Sequence, residues 1–492
     1  MATSHTICEY QGFYRSTKPD VTPETGREIF PLPAVQFDEL EKFVISGCSY
    51  TNDASFPLMQ ICSDRRYGKV IKAQNYVGVI RLKSRVQIEI LPKIDFGDMF
   101  LARKIFLRML AAFMQISHKM SGLANIDTQR MPIFEVFIRI LVEKVKSLAQ
   151  RGISGAYTIV SDNERFFKGR LLVTQQIRSN LIHRERFHVA YDVFSRNAPE
   201  NRLIKTTFLL LRTQTSSTKT KRDIEELLTF IFDEVPESHN VEADLQSTSA
   251  LRRRNELYDT VLTWCEVFLR QESFTTFTGI HETQALLFPM EKLFEAYVAK
   301  CFRTHAPKGW RITAQGGHKM LFDRINNDYQ MAFMLQPDLI MAYHGKPESY
   351  DVTIIADTKW KRLSNKKPYY GIAQSDMYQM YAYQKKFTAK TIHLIYPKHK
   401  GADFPDKLWR YGENEPDGVD IRVNAFDLEL DLHDSKYRYE FVKNLLMEPE
   451  NAERSESSAE TSDNATARCS AVQRARRSVL SHSCGDVPQR RR

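Results

Sequence analysis

The chain contains two short apolar runs with charged ends, Gln336-Pro337-Asp338-Leu339-Ile340-Met341 and Ile354-Ile355-Ala356-Asp357-Thr358-Lys359. The segment between them is turn-like, with a Lys-Pro pair at its centre, so we expect the two runs to pair as a β-hairpin. In such a hairpin Asp338 lies roughly opposite residues 355–357. Side chains alternate along a strand, so Asp357 and Lys359 share one face and Thr358 points away. The pattern therefore predicts two carboxylates with an ammonium beside them.

This group of side chains suits the hydrolysis of a phosphodiester. Magnesium prefers hard oxygen ligands and keeps coordination positions open for water and phosphate. We expect Asp338 and Asp357 to bind Mg²⁺, with the Thr358 carbonyl as a further ligand, in a site for one or two ions. Lys359 would orient or deprotonate the attacking water, or hold the phosphate. Short Asp-Pro and Asp-x-Lys matches also occur in turns and solvated ion pairs, so the flanking segments matter.

Helical patterns flank the predicted hairpin. Before it, the apolar spacing predicts a helix with Glu291 and Glu295 at the margin of the apolar stripe, from which one of them could reach a cleft. The alternative is an exposed acidic pair on that helix. After the hairpin, Gln379 and Tyr383 are four residues apart and share one face of a second helix. That face could cover the metal site and contact DNA through an amide and a phenol.

The periodicity of the apolar residues predicts a multidomain α+β protein. We expect a β-rich N-terminal domain (1–97), a mainly helical middle region with a basic insertion (98–284), an α/β domain with a mixed sheet flanked by helices (285–447) and a disordered tail (448–492). Alternating runs at 76–82 and 86–90 predict strands, and the Ser/Thr/Lys-rich run at 214–221 predicts a surface loop. The tail contains too few large apolar residues to offset the entropy of ordering it.

The composition and motifs of the 492 residues argue against several classes of protein. The net charge of +10 favours a polyanionic partner only weakly. Seven scattered cysteines without a CxxC pair argue against a disulfide framework and a structural zinc site. No GxxxxGK[ST] loop is present, so we expect this chain to bind no nucleotide. The sequence has neither a secretory signal nor a bilayer-spanning apolar run of roughly 20 residues, so we expect a cytoplasmic protein without a membrane partner.

Taken together, these motifs resemble the PD-(D/E)xK nuclease superfamily, in the QxxxY branch shared with RecB-type nucleases. The motifs are Leu293-Phe294-Glu295, Gln336-Pro337-Asp338, Asp357-Thr358-Lys359-Trp360 and Gln379-x-x-x-Tyr383. More narrowly, residues 60–445 resemble the McrC family, the nuclease subunits of McrBC restriction systems that act on DNA containing 5-methylcytosine. The blocks that carry this likeness outside the hairpin lie at 73–80, 89–94, 168–171, 191–195 and 201–205.

The resemblance implies a division of labour between two proteins. McrC-like subunits cut double-stranded DNA, while a separate McrB-like AAA+ GTPase ring recognises the modified cytosine and translocates the DNA. The N-terminal and middle parts would dock on that ring and stimulate its GTP hydrolysis, with Arg165, Arg170 and Arg178 as candidates. The implied catalytic residues are Glu295, Asp338, Asp357, Lys359, Gln379 and Tyr383, and the implied Mg²⁺ ligands are Glu295, Asp338, Asp357 and Thr358.

Two other functions stay open on the sequence alone. The chain could be a nuclease that works with a different ATPase or helicase in phage defence or DNA repair. It could also be a non-catalytic scaffold or activator of the motor. The presence of Asp338, Asp357 and Lys359 argues against this last alternative, because an inactive site gains nothing from polar groups on a buried hairpin.

Overall fold

The computed structural model describes residues 4–17, 28–48, 57–84, 86–94, 98–114, 131–270, 284–317, 319–322, 333–343, 352–389, 391–398, 407–411, 419–432 and 434–446. The chain divides into two compact units, Met1–Tyr297 and Val298–Arg492. Helices and mixed sheets both occur, which confirms the α+β class. The predicted disordered tail and the turn of the predicted hairpin lie outside the described residues.

Two four-stranded sheets and a helix form the N-terminal part of the first unit. The elements are β1 (Ser4–Cys8), β2 (Gly12–Ser16), β3 (Ile29–Pro33), α1 (Ala34–Cys48), β4 (Met59–Asp64), β5 (Gly68–Ala73), β6 (Tyr76–Arg81) and β7 (Gln87–Leu91). The predicted strands at 76–82 and 86–90 are confirmed as an antiparallel pair. Helix α1 was not predicted, although Phe37, Leu40 and Val44 recur at helical spacing and are buried.

These sheets pack around one hydrophobic core. One sheet has the order β3-β2-β5-β4, and the other has the order β1-β7-β6 followed by the later strand Gln284–Pro289. The core contains side chains from both sheets and from α1, among them Phe13, Phe37, Ile71, Ile88 and Leu287. Gly78 makes the pairing of β6 with the strand Gln284–Pro289 possible. Its φ is +138° and an added Cβ would lie 2.0 Å from the Leu286 carbonyl oxygen. Only glycine fits there.

Helices dominate the middle of the chain. They are α2 (Met99–Phe113), α3 (Ile133–Arg151), α4 (Val173–Ser179), α5 (Pro199–Gln214), α6 (Thr218–Phe230), α7 (Val241–Ser247), α8 (Ser249–Arg254) and α9 (Glu256–Arg270). The predicted loop at 214–221 is wrong, because α6 begins inside it. Ser217 caps that helix by accepting a hydrogen bond from the Thr220 amide. A Ser/Thr-rich run suits a helix N-terminus as well as a loop, and the buried Ile224 and Leu227 favour the helix.

The basic insertion contains a small sheet, which the prediction of a mainly helical region missed. Strands β8 (Ala156–Glu164), β9 (Arg170–Leu171) and β10 (Phe187–Ser195) have the order β8-β10-β9, and we call residues 156–195 the insertion sheet. The side-chain amides of Asn163 and Asn180 bond to each other at 2.7 and 2.9 Å and join β8 to the segment after α4. Many apolar side chains of this sheet are exposed, so the alternation typical of a half-buried strand is weak.

A mixed sheet of six described strands forms the centre of the second unit. After β11 (Gln284–Pro289) and α10 (Met290–His305) the elements are β12 (Trp310–Ala314), β13 (Lys319–Met320), β14 (Met334–Leu335), β15 (Leu339–Tyr343), β16 (Val352–Thr358), α11 (Gln374–Phe387), β17 (Thr391–Pro397), β18 (Lys407–Tyr411), β19 (Val419–Phe426) and α12 (Ser435–Leu446). The sheet order is β12-β15-β16-β17-β19-β18, with β16, β17 and β19 parallel.

Helix α11 is the crossover that parallel pairing of β16 and β17 requires. Its Met380 and Tyr383 belong to the same core cluster as Ile355 and Leu394 from those two strands. The helix therefore covers the face of β16 that carries Ile355. Within the described part of the chain, no helix is both long and apolar enough to cross a membrane.

Candidate active site

The predicted hairpin forms, and its register brings the two aspartates together. Strands β15 and β16 are antiparallel, with Leu339 opposite Ala356. The next residues outward, Asp338 and Asp357, therefore face each other, and each carboxylate lies within electrostatic range of the other. The expectation that Asp338 lies opposite residues 355–357 is confirmed.

Thr358 fixes the Asp338 carboxylate. Both the backbone amide and the hydroxyl of Thr358 donate to Asp338 Oδ2, at 2.7 and 2.6 Å. Strand alternation predicted a Thr358 side chain directed away from the site, so this contact is a correction. Asp338 precedes the first residue of β15, where ladder pairing no longer fixes the direction of its side chain. The predicted metal contact of the Thr358 carbonyl stays a prediction.

A chain of polar contacts runs from Asp357 to Gln336, the first residue of the Gln336-Pro337-Asp338 motif. Lys359 Nζ lies 2.6 Å from Asp357 Oδ2 and 3.0 Å from Gln379 Oε1. Gln379 Nε2 lies 2.7 Å from the Tyr383 hydroxyl, which donates to the Gln336 carbonyl at 3.0 Å. Gln379 and Tyr383 thus share a helix face as predicted, and they also hold Lys359 in place. The sequence did not reveal this second task, because it depends on how α11 lies over the sheet.

Burial and charge act together on the acidic pair. Asp357 is 1% exposed, and its burial, reinforced by the nearby charge of Asp338, raises its pKa to about 7 against the opposing effect of Lys359. Burial alone would lower the pKa of Lys359, but the carboxylates of Asp357 and Asp338 outweigh it and hold that pKa above its ordinary value. The site thus contains an ammonium next to carboxylates that resist being charged together.

A second ion pair lies beside this group, and the sequence analysis did not single out its acid. Lys361 Nζ contacts both carboxylate oxygens of the buried Asp376, at 3.0 and 2.9 Å. The charge of Asp376 also acts on Asp357 and Lys359. Asp376 lies three residues before Gln379, so helical spacing from a predicted site residue was the signal that could have found it.

Glu295 belongs to the first unit and is described there. It lies on α10, is buried, and its Oε2 is 3.0 Å from Lys292 Nζ. The apolar stripe of this helix is confirmed, since Met290, Leu293 and Phe294 are all buried. The predicted role of Glu295 in catalysis and metal binding stays a prediction.

The residues present fit a magnesium ion of the kind that keeps most of its water. Among the described residues no three His, Cys, Asp or Glu side chains form a metal-binding group. Magnesium commonly takes only one or two carboxylates and fills its other positions with water and phosphate. Asp338 and Asp357 supply two hard oxygen donors whose mutual repulsion a divalent cation would relieve.

Comparison with known protein families shows to which family the chain belongs. The family described as the McrBC 5-methylcytosine restriction system component matches residues 71–397. The chain belongs to the McrBC family. Asp338, Asp357, Lys359, Gln379 and Tyr383 all lie within the part that matches the family.

Solved structures similar to this McrBC-family chain come from Thermococcus gammatolerans. One is a chain from the refined half-complex of the tetradecameric assembly of McrB AAA+ hexamers with bound McrC, with 18% identity, a TM-score of 0.64, and coverage of 90% of this chain and 100% of that chain. Another is a chain from the cryo-EM structure of the McrBC complex, with 22% identity, a TM-score of 0.46, and coverage of 62% and 89%. No curated protein matches the chain.

Proposed function

We propose that this chain is the DNA-cutting subunit of a restriction system specific for 5-methylcytosine. It would be a Mg²⁺-dependent endodeoxyribonuclease with a PD-(D/E)xK fold in its second unit, recruited by a McrB-like AAA+ GTPase ring. The observation that carries the proposal is the pairing of Asp338 with Asp357 across the hairpin, with Lys359 held between Asp357 and Gln379. Membership of the McrBC family supports it.

The chain's own residues would prepare the site for phosphodiester hydrolysis. Asp338 and Asp357 would hold Mg²⁺, which when bound stabilises negative charge on the phosphate and on the leaving oxygen. Thr358 fixes Asp338, so one carboxylate is oriented before substrate arrives. An ammonium has three donors, and Lys359 uses two of them on Asp357 and Gln379. Within the described part of the chain, its third donor contacts no further acceptor and would be available for the attacking water or for a phosphate oxygen.

The alternative of a non-catalytic scaffold fits these contacts poorly. A scaffold requires stable packing, whereas two crowded carboxylates, of which Asp357 is buried, reduce stability unless a ligand uses them. The arrangement of Lys359, Gln379 and Tyr383 also fixes one ammonium in position, which is useful only if something binds there. We therefore favour an active nuclease.

The insertion sheet is the surface that best suits the partner ring. Its exposed apolar side chains include Tyr157, Ile159, Phe166, Phe167, Leu181 and Ile182, and the exposure reaches 86% for Ile182. Apolar exposure on this scale commonly marks a protein interaction site. Arg165, Arg170 and Arg178 are exposed on the same insertion and form no ion pair with a described residue. They are candidates for contact with the nucleotide-binding face of the ring.

A cleavage assay tests the nuclease proposal. Methylated and unmethylated plasmids are incubated with the full chain and Mg²⁺, with and without a McrB-like AAA+ GTPase and GTP. We expect cutting only of methylated DNA and only with partner, GTP and Mg²⁺ all present. The Asp357→Ala variant should not cut, yet should stimulate GTP hydrolysis as the wild type does. Cutting by that variant would contradict the proposed site.

Stimulation of the partner's GTPase tests the docking surface separately. The double variant Phe166→Ser with Ile182→Ser should lose most of the stimulation, because these side chains are exposed and would be buried only by the partner. The matched control is Phe230→Ser, which alters an exposed aromatic residue at the end of α6, outside the insertion sheet. Equal loss in both variants would argue against docking through the insertion sheet.

A further inference from the structure

We propose that residues 366–371, the tyrosine loop, grip DNA beside the candidate site by stacking the Tyr369 ring on an unpaired base. The loop has the sequence Lys-Lys-Pro-Tyr-Tyr-Gly and lies between β16 and α11. The inference deepens the proposed nuclease function and rests on it. It assigns a binding role to residues outside the acidic pair and the QxxxY motif.

Both ends of the segment that carries the tyrosine loop are fixed at the candidate site. On one side it follows Lys359 and Lys361, and on the other it leads into α11. The ammonium of Lys361 contacts both carboxylate oxygens of Asp376, and that of Lys359 contacts Gln379. These contacts join the start of the segment to its end, so the tyrosine loop projects from the same edge of the second unit as the acidic pair.

The tyrosine loop is tightly built. The Ser364 amide donates to the Tyr370 carbonyl at 3.0 Å, and the Tyr370 amide donates to the Lys367 carbonyl at 3.1 Å. The Ile372 amide donates to the Tyr369 carbonyl at 3.1 Å. The Tyr370 side chain packs against the core cluster of the second unit. The backbone of the loop is therefore held in one conformation, which fixes the direction in which the Tyr369 side chain leaves the backbone.

Tyrosine is an unfavourable residue for the backbone conformation found at position 369. Its φ is +50° and that of Tyr370 is +60°, in the left-handed region where a residue with a side chain is disfavoured. Core packing explains a tyrosine at position 370. No such reason applies to Tyr369, which is 75% exposed and whose side chain has no hydrogen bond or ring contact with another described residue. Glycine or asparagine would make the same turn with less strain, so the exposed ring itself has a use.

The charge beside the ring identifies the partner as nucleic acid. Lys366 and Lys367 are exposed and form no ion pair with any described residue. An aromatic side chain next to uncompensated lysines matches single-stranded DNA, where bases stack on rings and phosphates meet ammonium groups. Tyr369 would lie against the face of a base, and the two lysines would contact phosphates of the same strand. A fully paired duplex offers no free base face, so the loop predicts a preference for DNA that is locally unpaired.

Binding to two matched DNAs tests the inference. The full chain is titrated, without divalent cation, into a labelled duplex with a central unpaired bubble and into the same duplex fully paired. Tyr369→Gly removes the ring and the backbone strain together, and Tyr369→Asn is a second variant of the same kind. We expect both variants to melt no lower than the wild type and to bind the bubble about tenfold more weakly. Tyr369→Phe should bind as the wild type does.

A base analogue gives a direct signature of stacking. With 2-aminopurine in the bubble, the wild type and Tyr369→Phe should quench its fluorescence, and Tyr369→Gly should not. The matched control is Tyr437→Ala, which removes an exposed tyrosine from α12 and should change neither binding nor quenching. Equal binding of wild type and Tyr369→Gly, or an equal loss on bubble and paired DNA, would overturn the inference.

The outcomes also separate this inference from the proposed function. If Asp357→Ala abolishes plasmid cleavage while Tyr369→Gly binds and quenches normally, the nuclease stands and the tyrosine loop does not grip DNA. If no protein cuts DNA but quenching follows the ring, the DNA-binding loop stands without the nuclease. Replacing Lys366 and Lys367 with Gln should flatten the salt dependence of binding by about one unit of slope per lost phosphate contact. An unchanged slope would remove the lysines from the proposal.

Discussion

Asp223 in the first unit and Asp357 in the second are both buried aspartates in opposite surroundings. Asp223 accepts contacts from two cations: Lys146 Nζ lies 3.0 Å from its Oδ2, and Arg139 donates to the same oxygen. Burial alone would raise the pKa of Asp223, but the hydrogen bonds from Lys146 and Arg139 outweigh it and hold that pKa below its ordinary value. The charged form is therefore the stable form in the folded protein.

Asp357 shows the reverse balance. Burial and the Asp338 charge outweigh its cationic neighbour Lys359, so the pKa of Asp357 is raised. The contrast between Asp223 and Asp357 separates a carboxylate that stabilises the fold from one whose charge the fold tolerates at a cost. Carboxylates with raised pKa values cluster at functional sites, because a bound ligand can supply the positive charge that the protein does not. The raised pKa of Asp357 therefore marks this hairpin as a candidate functional site, independently of the sequence motif.

The largest expected effect comes from Asp357→Asn. Removal of this proposed metal ligand should lower cleavage about a thousandfold or more, the equivalent of several kcal/mol of transition-state stabilisation. Burial and the neighbouring charge of Asp338 both disfavour the charged form of Asp357. Asparagine carries no charge, so the variant's free energy of unfolding without divalent cation should be unchanged or higher. Plasmid cleavage and urea denaturation measure the two quantities. A marked loss of stability would mean that Asp357 is structural, like Asp223.

Lys359→Met should have the next largest effect on cleavage. It removes the ammonium but keeps an unbranched side chain of similar length, and we expect a loss of roughly 100-fold or more. Stimulation of the partner GTPase should stay at the wild-type level. The control is Lys398→Met, which breaks an exposed ion pair with Asp427 in the same unit and should cut normally. Equal cleavage by both variants would remove Lys359 from the chemistry.

Asp223→Asn should give the opposite result to Asp357→Asn. It removes the buried carboxylate that Lys146 and Arg139 share, although Arg139 keeps its ion pair with Glu143, and should lower the free energy of unfolding by about 2–3 kcal/mol near neutral pH. Because the folded-state pKa of Asp223 is lowered, its contribution is present above the ordinary aspartate value of about 3.9 and is lost as the pH falls through the folded pKa. The variant should therefore differ least from the wild type in acid. Cleavage per folded molecule should be unaffected.

Tyr383→Phe should have the smallest effect. It removes the hydroxyl that joins Gln379 to the Gln336 carbonyl, so Lys359 loses part of its support. We expect a three- to tenfold lower maximal rate of cleavage, about the value of one hydrogen bond, with little change in DNA affinity. Tyr378→Phe is the matched control, since its hydroxyl contacts Gln374 on an exposed part of the same helix. A loss of affinity instead of rate would make Tyr383 a DNA contact.

The sequence predicted the parts of the site that strand periodicity controls. The positions of Asp338, Asp357 and Lys359 follow from the register of a hairpin, and a short run of residues is enough to fix that register. Helical spacing could have pointed to Asp376, but its contact with Lys361 and the contact of Thr358 with Asp338 were not predictable. They depend on the exact end of a strand and on the rotation of α11 over the sheet, neither of which any residue period encodes.

The fold shows the same division. Strands β6 and β7 were found because their short runs contain alternating β-branched residues, although nearly every residue of both strands is buried. The insertion sheet was missed because its strands expose apolar side chains, including Tyr157 and Phe194. Polar and apolar residues therefore do not alternate between an exposed and a buried face. Helix α6 was missed at its start because the Ser/Thr residues of a helix cap also occur in loops.

Thermal melting with and without Mg²⁺ tests most directly whether Asp338 and Asp357 bind one cation together. The full chain and its Asp357→Asn variant are melted over a series of Mg²⁺ concentrations, with no DNA or partner present. Magnesium should raise the melting temperature of the wild type in a saturable way, because a ligand that binds only the folded state stabilises it. The variant should show no such rise. An equal rise in both proteins would contradict the proposed metal site.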